Sequence, residues 1–261
     1  MVKAPFSKEI ERLASECGGI VSVAVRNVAN AFDFSYNDDV RMGSASTIKV
    51  PMLVEAIRQV RDGALSLDSE YKIAREQCCD GSGVINYLHD GLAVTLKDLL
   101  TLMIIVSDNT ATNVLIDIIG MDNVNSTLRG WGYTGTILQR KMYDWSGIAQ
   151  GKDNFIVARE AADLLAKIAR GEALGGEWDE MVIEIMRNQQ STNELGLLLP
   201  EGVLANKTGQ VEGAVNDIGV VTTDKFRYSI AVCTKDAPVP GEAKVTIGRI
   251  SKAVWDTVAV L

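Results

Sequence analysis

Strand-like alternation lies at both ends of this chain and helical periodicity fills its middle, and that distribution constrains the fold more than any other feature. Ile20–Arg26 alternates and is rich in β-branched residues, the pattern of a strand. Phe32–Tyr36 reads as a second strand after a short turn. Near the other end, Leu204–Val211, Asp217–Thr222 and Arg227–Thr234 read as a meander with glycine-rich or charged turns. Ser7–Cys17 places Ile10, Leu13, Ala14 and Cys17 on one helix face and stops at Gly18 and Gly19. Ile247, Ile250, Val254, Val258 and Leu261 mark a final amphipathic helix.

Between these ends the chain reads as helical. Thr47–Val60 is a helix that tolerates Pro51 in its first turn. Thr95–Asp98 is a capping box that opens a nearly all-apolar helix through Val106, a pattern that predicts burial on all sides. Further helices follow at Thr110–Ile119, closed by Gly120, and from an Asp122 cap to Gly130. Arg159–Ala169 and Glu180–Asn188 are helical again. The economical assembly is α+β, an α/β sandwich with a helical insert: one antiparallel sheet of about five strands, flanked by the N- and C-terminal helices. Residues 1–45 and 196–261 then form a discontinuous sheet domain, and 46–195 an inserted all-α domain. A cleft between sheet and insert is the natural place for a site.

Composition narrows the function. The net charge of −8 disfavours a nucleic-acid partner, which wants a basic face, and attraction to an anionic membrane. No apolar run is long enough to span a bilayer, and the N-terminus does not lead into a signal-peptide core. The expectation is a soluble monomer, either cytoplasmic or exported with its leader removed. Cys17, Cys78, Cys79 and Cys233 form no C-x-x-C and read as free thiols. No metal or cofactor is implied. His89 is the single histidine, so a Ser-His-Asp triad would have to use it, and it reads as part of a loop. A hydrolase built from this chain needs a lysine or a carboxylate as its base.

Ser-x-x-Lys occurs at Ser46–Lys49 and again at Ser69–Lys72. Chance alone gives about one copy in a chain this size, so context must separate them. Ser69 and Lys72 lie in an alternating stretch and point to opposite faces. Ser46 stands at the start of a helix, where residues three apart share a face, so Lys49 can reach its hydroxyl. Ser107-Asp108-Asn109 joins two helices; Ser107 offers a proton-shuttling hydroxyl, Asn109 an amide for a substrate carbonyl, and Asp108 a turn-forming carboxylate. Lys207-Thr208-Gly209 lies in a strand, where Lys207 and Thr208 can hold a carboxylate and Gly209 permits close approach. The Gln210 N–H can join that of Ser46 in an oxyanion hole.

Ser-x-x-Lys, Ser-Asp-Asn and Lys-Thr-Gly in this order form the signature set of class A β-lactamases and penicillin-binding proteins. The chain resembles a class A β-lactamase-type serine hydrolase over nearly its whole length, most closely at Val106–Asn113 and Asn206–Gly209. The resemblance implies that Ser46 is acylated, with Lys49 as its base partner. It implies that Ser107 delivers a proton to the leaving amine and that Asn109 contacts the substrate amide. Lys207 and Thr208 would anchor the carboxylate of a small β-lactam, acyl or peptide substrate, and Lys207 would depress the Lys49 pKa.

The resemblance fails at two places. Members of that family carry a loop glutamate that orients the deacylating water. Aligning Arg140 with the family's loop arginine puts Met142 at that position, and methionine cannot activate water. Asp144, two residues on with a shorter arm, is the candidate substitute. No arginine follows Lys-Thr-Gly to bind the carboxylate, and Asn216 is the candidate there. Acylation machinery with weakened release fits a slow β-lactamase. It also fits a penicillin-binding or DD-peptidase-like protein, an esterase-type hydrolase, or a sensor domain that is acylated once. A degenerate relative kept for binding or structure is disfavoured, because the acylation positions are filled.

Overall fold

A computed structural model describes residues 5–28 and 33–259. Met1–Ala4, Phe32 of the second expected strand and Leu261 of the last expected helix lie outside them. The chain opens with α1 (Ser7–Glu16), β1 (Ile20–Asn27) and β2 (Asp33–Tyr36). Short β3 (Arg41–Gly43) leads into a 3-10 turn at Ala45–Ile48 and then α2 (Lys49–Arg61). β4 (Glu70–Ile73) pairs with β5 (Leu92–Thr95) in a small ribbon ahead of α3 (Leu96–Ile105). α4 (Asn109–Ile119), α5 (Met121–Gly130) and the short α6 (Trp145–Ala149) follow. β6 (Phe155–Val157) pairs with β3, and α7 (Ala158–Arg170) and α8 (Gly176–Arg187) complete the helical middle. The chain closes with β7 (Leu204–Val211), β8 (Ala214–Thr222), β9 (Arg227–Lys235) and α9 (Pro240–Val258).

The main sheet is antiparallel with strand order β2-β1-β9-β8-β7, so the two chain ends meet in its middle. β1 pairs with β9 from Ile20 opposite Lys235 to Asn27 opposite Tyr228. Side chains alternate across a strand, and the two faces serve two cores. Val21, Val23, Val25, Ile230 and Val232 pack with Ile10, Leu13, Ile247 and Ile250 under α1 and α9. Ala24, Ala231 and Cys233 face the larger core built by α2, α3, α4, α7 and α8. Small residues on that face admit α7 close to the sheet, and Ser229 Oγ donates to the Ala162 carbonyl at 2.7 Å. Each fully buried Ile or Leu contributes about 1.5–3 kcal/mol.

Sequence expectation and structure differ where local pattern is weak. β3, β5 and β6 are too short to show a period. α3 keeps its Thr95 capping box but is half-buried, with Lys97 and Asp98 in solvent. It lies at the edge of the helical layer, where only Leu96, Leu99, Leu100, Met103 and Ile104 turn inward. Asp122 sits in the first turn of α5 rather than capping it; Gly120, at φ +80°, holds the cap position. β4 confirms that Ser69 and Lys72 do not share a helix face. The four cysteines are free, and His89 is exposed on a turn. Among the described residues no helix is long and apolar enough to cross a membrane.

Candidate active site

Ser46 stands in the 3-10 turn between β3 and α2 rather than at the cap of the α-helix. The turn is tightly anchored. Ser44 N–H donates to the Asn154 carbonyl at 2.9 Å, and the Ser44 carbonyl accepts from Thr47 N–H at 3.1 Å. Ala45, just before Ser46, holds φ +46°, a left-handed conformation that costs a non-glycine residue about 1 kcal/mol or more. β7 runs against this turn. A Cβ on Gly209 would lie 2.8 Å from Ser46 N and 3.0 Å from the Ser44 carbonyl, so glycine is required.

Two buried lysines converge on Ser107. Lys49 Nζ donates to the Ser107 carbonyl at 2.8 Å, to Ser107 Oγ at 3.0 Å and to Asn109 Oδ1 at 2.9 Å. Lys207 Nζ donates to Ser107 Oγ at 3.1 Å and to the Thr208 carbonyl at 2.8 Å. Both lysines are fully buried, and neither has an ion pair among the described residues. Burial, and then the nearby Lys207 charge, holds Lys49 well below the usual lysine range. Burial lowers Lys207 to about 7, with Asp217 and Glu194 opposing. Ser107 Oγ accepts from both ammonium groups, so its own proton is left to point elsewhere.

The sequence expects Lys49 to reach Ser46. In this resting arrangement its three donors are instead spent on Ser107 and Asn109. These acceptors satisfy the ammonium without a carboxylate, and hydrogen bonds to catalytic groups commonly tighten only when substrate arrives. Ser107 itself is held at φ +56° by the turn. Asp108 accounts for the turn: Oδ1 accepts from Ala111 N–H at 2.9 Å, capping α4, and Oδ2 accepts from Val84 and Ile85 N–H groups.

The cleft has two lobes that meet at Ser46. One, of about 380 Å³, is polar and is lined by Ser107, Gln190, Asn193, Glu194, Thr208 and Lys244. The other, of about 450 Å³, is lined by Asn109, Met142, Tyr143, Trp145, Ile148 and Val211. Gly209 borders the first lobe, and Gln210 borders both. Thus Ser46, Lys49, Ser107, Asn109, Lys207, Thr208, Gly209 and Gln210 are brought together.

Two expected residues are not. Asn216 is fully buried with its amide spent: Nδ2 donates to the Gly43 carbonyl at 2.8 Å, and Oδ1 accepts from Thr234 N–H at 3.1 Å. It braces the nucleophile turn from beneath and lines neither lobe, so it cannot hold a substrate carboxylate. The further cation on the polar lobe is Lys244, on α9, 3.0 Å from Glu194 Oε1. Asp144 caps α6, its Oδ1 accepting from Gly147 N–H at 2.9 Å, and it too lies outside the cleft. Helix capping has taken the carboxylate that the sequence offered for water activation.

Met142 does face the cleft. Asn113 clamps its backbone, Oδ1 accepting from Met142 N–H at 2.8 Å and Nδ2 donating to its carbonyl at 3.1 Å. Asp153 also borders that lobe but is paired with Arg140 at 2.7 Å. Tyr143 and Trp145, in edge-to-face contact at 5.7 Å, form an exposed aromatic lip that no sequence motif announces. Lys244 was illegible for another reason: nothing in a helix heptad tells which exposed lysine overhangs a distant strand. Among the described residues, no group of three His, Cys, Asp or Glu side chains is placed to hold a metal.

Comparison with known proteins agrees with this geometry. The model of the β-lactamase enzyme family matches residues 5–258. A β-lactamase of Citrobacter koseri is 28% identical over 219 residues, covering 82% of this chain and 74% of that protein. The crystal structure of a β-lactamase from Sphaerobacter thermophilus superposes with a TM-score of 0.92 at 31% identity, over 98% of both chains. A penicillin-G acyl-enzyme complex of a mutant PBP-A superposes with a TM-score of 0.88 at 27% identity, over 97% of this chain and 96% of that one. A buried lysine pair around Ser107, a serine on a strained turn and a family match across the chain converge: this protein belongs to the β-lactamase enzyme family and is a serine β-lactamase-like hydrolase.

Proposed function

We propose that Ser46 attacks the carbonyl carbon of a β-lactam amide, carries the resulting acyl group, and releases it slowly. The observation that carries this reading is the buried Lys49 Nζ on Ser107 and Asn109, with Lys207 Nζ on the same Ser107 hydroxyl. Lys49, biased toward its neutral form, takes the Ser46 proton as the O–C bond forms. The N–H groups of Ser46 and Gln210 receive the oxyanion. Ser107 passes a proton to the leaving nitrogen as the C–N bond breaks. Lys207 and Thr208 hold the substrate carboxylate, and Lys244 adds charge to that lobe. The Asn109 amide contacts the substrate amide.

Slow release is supported by what surrounds the second lobe. Met142 occupies the wall, Asp144 is spent as a helix cap, and Asp153 is held by Arg140. The same features favour a second reading, in which the acyl group passes to an acceptor other than water, as in a penicillin-binding protein. A chromogenic cephalosporin followed by intact-mass spectrometry tests the proposal. The expected result is a burst, slow turnover and a persistent covalent adduct that is absent in Ser46→Ala. Wild-type protein that neither turns over nor labels sinks the reading.

A further inference from the structure

Asp217 carries a fully buried carboxyl that the acylation steps do not use. In the sheet it stands opposite Thr208, so its side chain shares the face of Thr208 and of Asn206, two residues earlier in β7. Asn206 Nδ2 donates to Asp217 Oδ1 at 2.9 Å and to Oδ2 at 3.0 Å. Leu195 N–H donates to Oδ2 at 3.0 Å. One side chain thus ties β7, beside Lys207, to the segment between α8 and β7. That segment gives Gln190, Ser191, Asn193 and Glu194 to the wall of the polar lobe. Its near end is held separately, by Gln189 Nε2 on the Ile104 carbonyl at 2.8 Å and by Gln190 N–H on the Ile105 carbonyl at 3.1 Å. Its far end rests on Asp217.

Both cations of the polar lobe take their place from this carboxyl. Lys207 directly follows Asn206 in β7. Lys244 Nζ lies 3.0 Å from Glu194 Oε1, and Glu194 directly precedes Leu195. The pocket is short of donors: Asn206 Oδ1 and Glu194 Oε2 are buried with no partner among the described residues. Burial, against the Asn206 hydrogen bond, pushes Asp217 up to about 8, which agrees with a carboxyl that keeps its proton among surplus acceptors. We propose that Asp217 is a positioning residue for substrate recognition: through Asn206 and the Leu195 N–H it fixes the spacing of Lys207 and Lys244 across the polar lobe, so that together they receive the substrate carboxylate. This inference rests on acylation at Ser46 and on carboxylate binding in that lobe, so its test must separate the three.

The test compares benzylpenicillin with its methyl ester, which keeps the ring and the acyl side chain but has no carboxylate. Intact-mass labelling gives the limiting rate and the half-saturating concentration for each. Wild-type protein should favour the acid. Asp217→Ala should raise the half-saturating concentration for the acid about tenfold, the scale of a misplaced hydrogen bond to a charged group, and leave its limiting rate and the ester little changed. Asp217→Asn keeps the shape, an acceptor for Leu195 N–H and a donor for Asn206 Oδ1, and should restore most of the loss. Asn206→Ala cuts the same tie from the β7 side and should repeat the selective loss, which serves where Asp217→Ala does not fold. Equal losses with acid and ester, or none with the acid, overturn the positioning role. Wild-type protein that labels equally with both compounds overturns carboxylate binding in the lobe and this inference with it. Absence of any adduct in wild-type protein overturns acylation itself.

Discussion

Lys49 illustrates how a few ångströms decide a residue's chemistry. A lysine at a surface would stay charged throughout the physiological range, but here burial and a second cation act together. The sign is fixed: both effects disfavour the ammonium, so the acylation rate should rise with pH along a limb set well below an ordinary lysine's. In Lys207→Ala the neighbouring charge is gone, and that limb should move to higher pH in stopped-flow labelling at saturating substrate. Burial lowers Lys207 to about 7, so affinity for carboxylate-bearing substrates should fall as pH rises through that value. Lys207→Arg, charged at every accessible pH, should flatten the fall wherever it still folds and labels. Gly209 is the other residue-scale test. In Gly209→Ala the new methyl would push on Ser46 N, so labelling should drop at least about tenfold while thermal stability falls by about 1–3 kcal/mol.

At the scale of elements, the Ser107–Asn109 turn is the joint on which the site depends. One carboxylate, Asp108, caps α4 and holds the backbone of Val84 and Ile85. Charged hydrogen bonds of this kind are worth about 1.5–3 kcal/mol, so Asp108→Ala should lower unfolding stability by about 3 kcal/mol and blunt labelling as well, as denaturant titration and mass spectrometry would report. Elements also decided which expectations held. Thr95 and Asp98 announce α3 because a capping box is local chemistry, and the motif residues of β7 declare themselves in the same way. Asn216 was misread because strand facing depends on register: it pairs with Gly209, under the nucleophile turn. Asp144 was misread because a carboxylate three residues before a free helix N–H can be consumed as a cap.

At the scale of the whole molecule, the sheet joins the two chain ends, and the helical middle closes over it to make the cleft. β1 lies between β2 and β9, so N-terminal and C-terminal segments are mutually required. Alternation in the sequence made that sheet legible, whereas the docking of α9, which brings Lys244 over the polar lobe, depends on tertiary contacts with no local signature. The same architecture puts Met142 on the wall of the second lobe, where Asp153 is paired with Arg140 and the remaining carboxylate, Glu212, is exposed. Met142→Glu should therefore speed release of the acyl group by at least about tenfold in a turnover assay, since general-base catalysis typically contributes 10²–10⁴-fold.

The central claim is that attack by Ser46 is efficient and release is not. The direct measurement is the intact mass of the protein through time after one equivalent of benzylpenicillin. The account predicts a stoichiometric adduct on Ser46 that persists long after free drug is gone, and none in Ser46→Ala. Complete conversion of the drug with no adduct ever accumulating would contradict it.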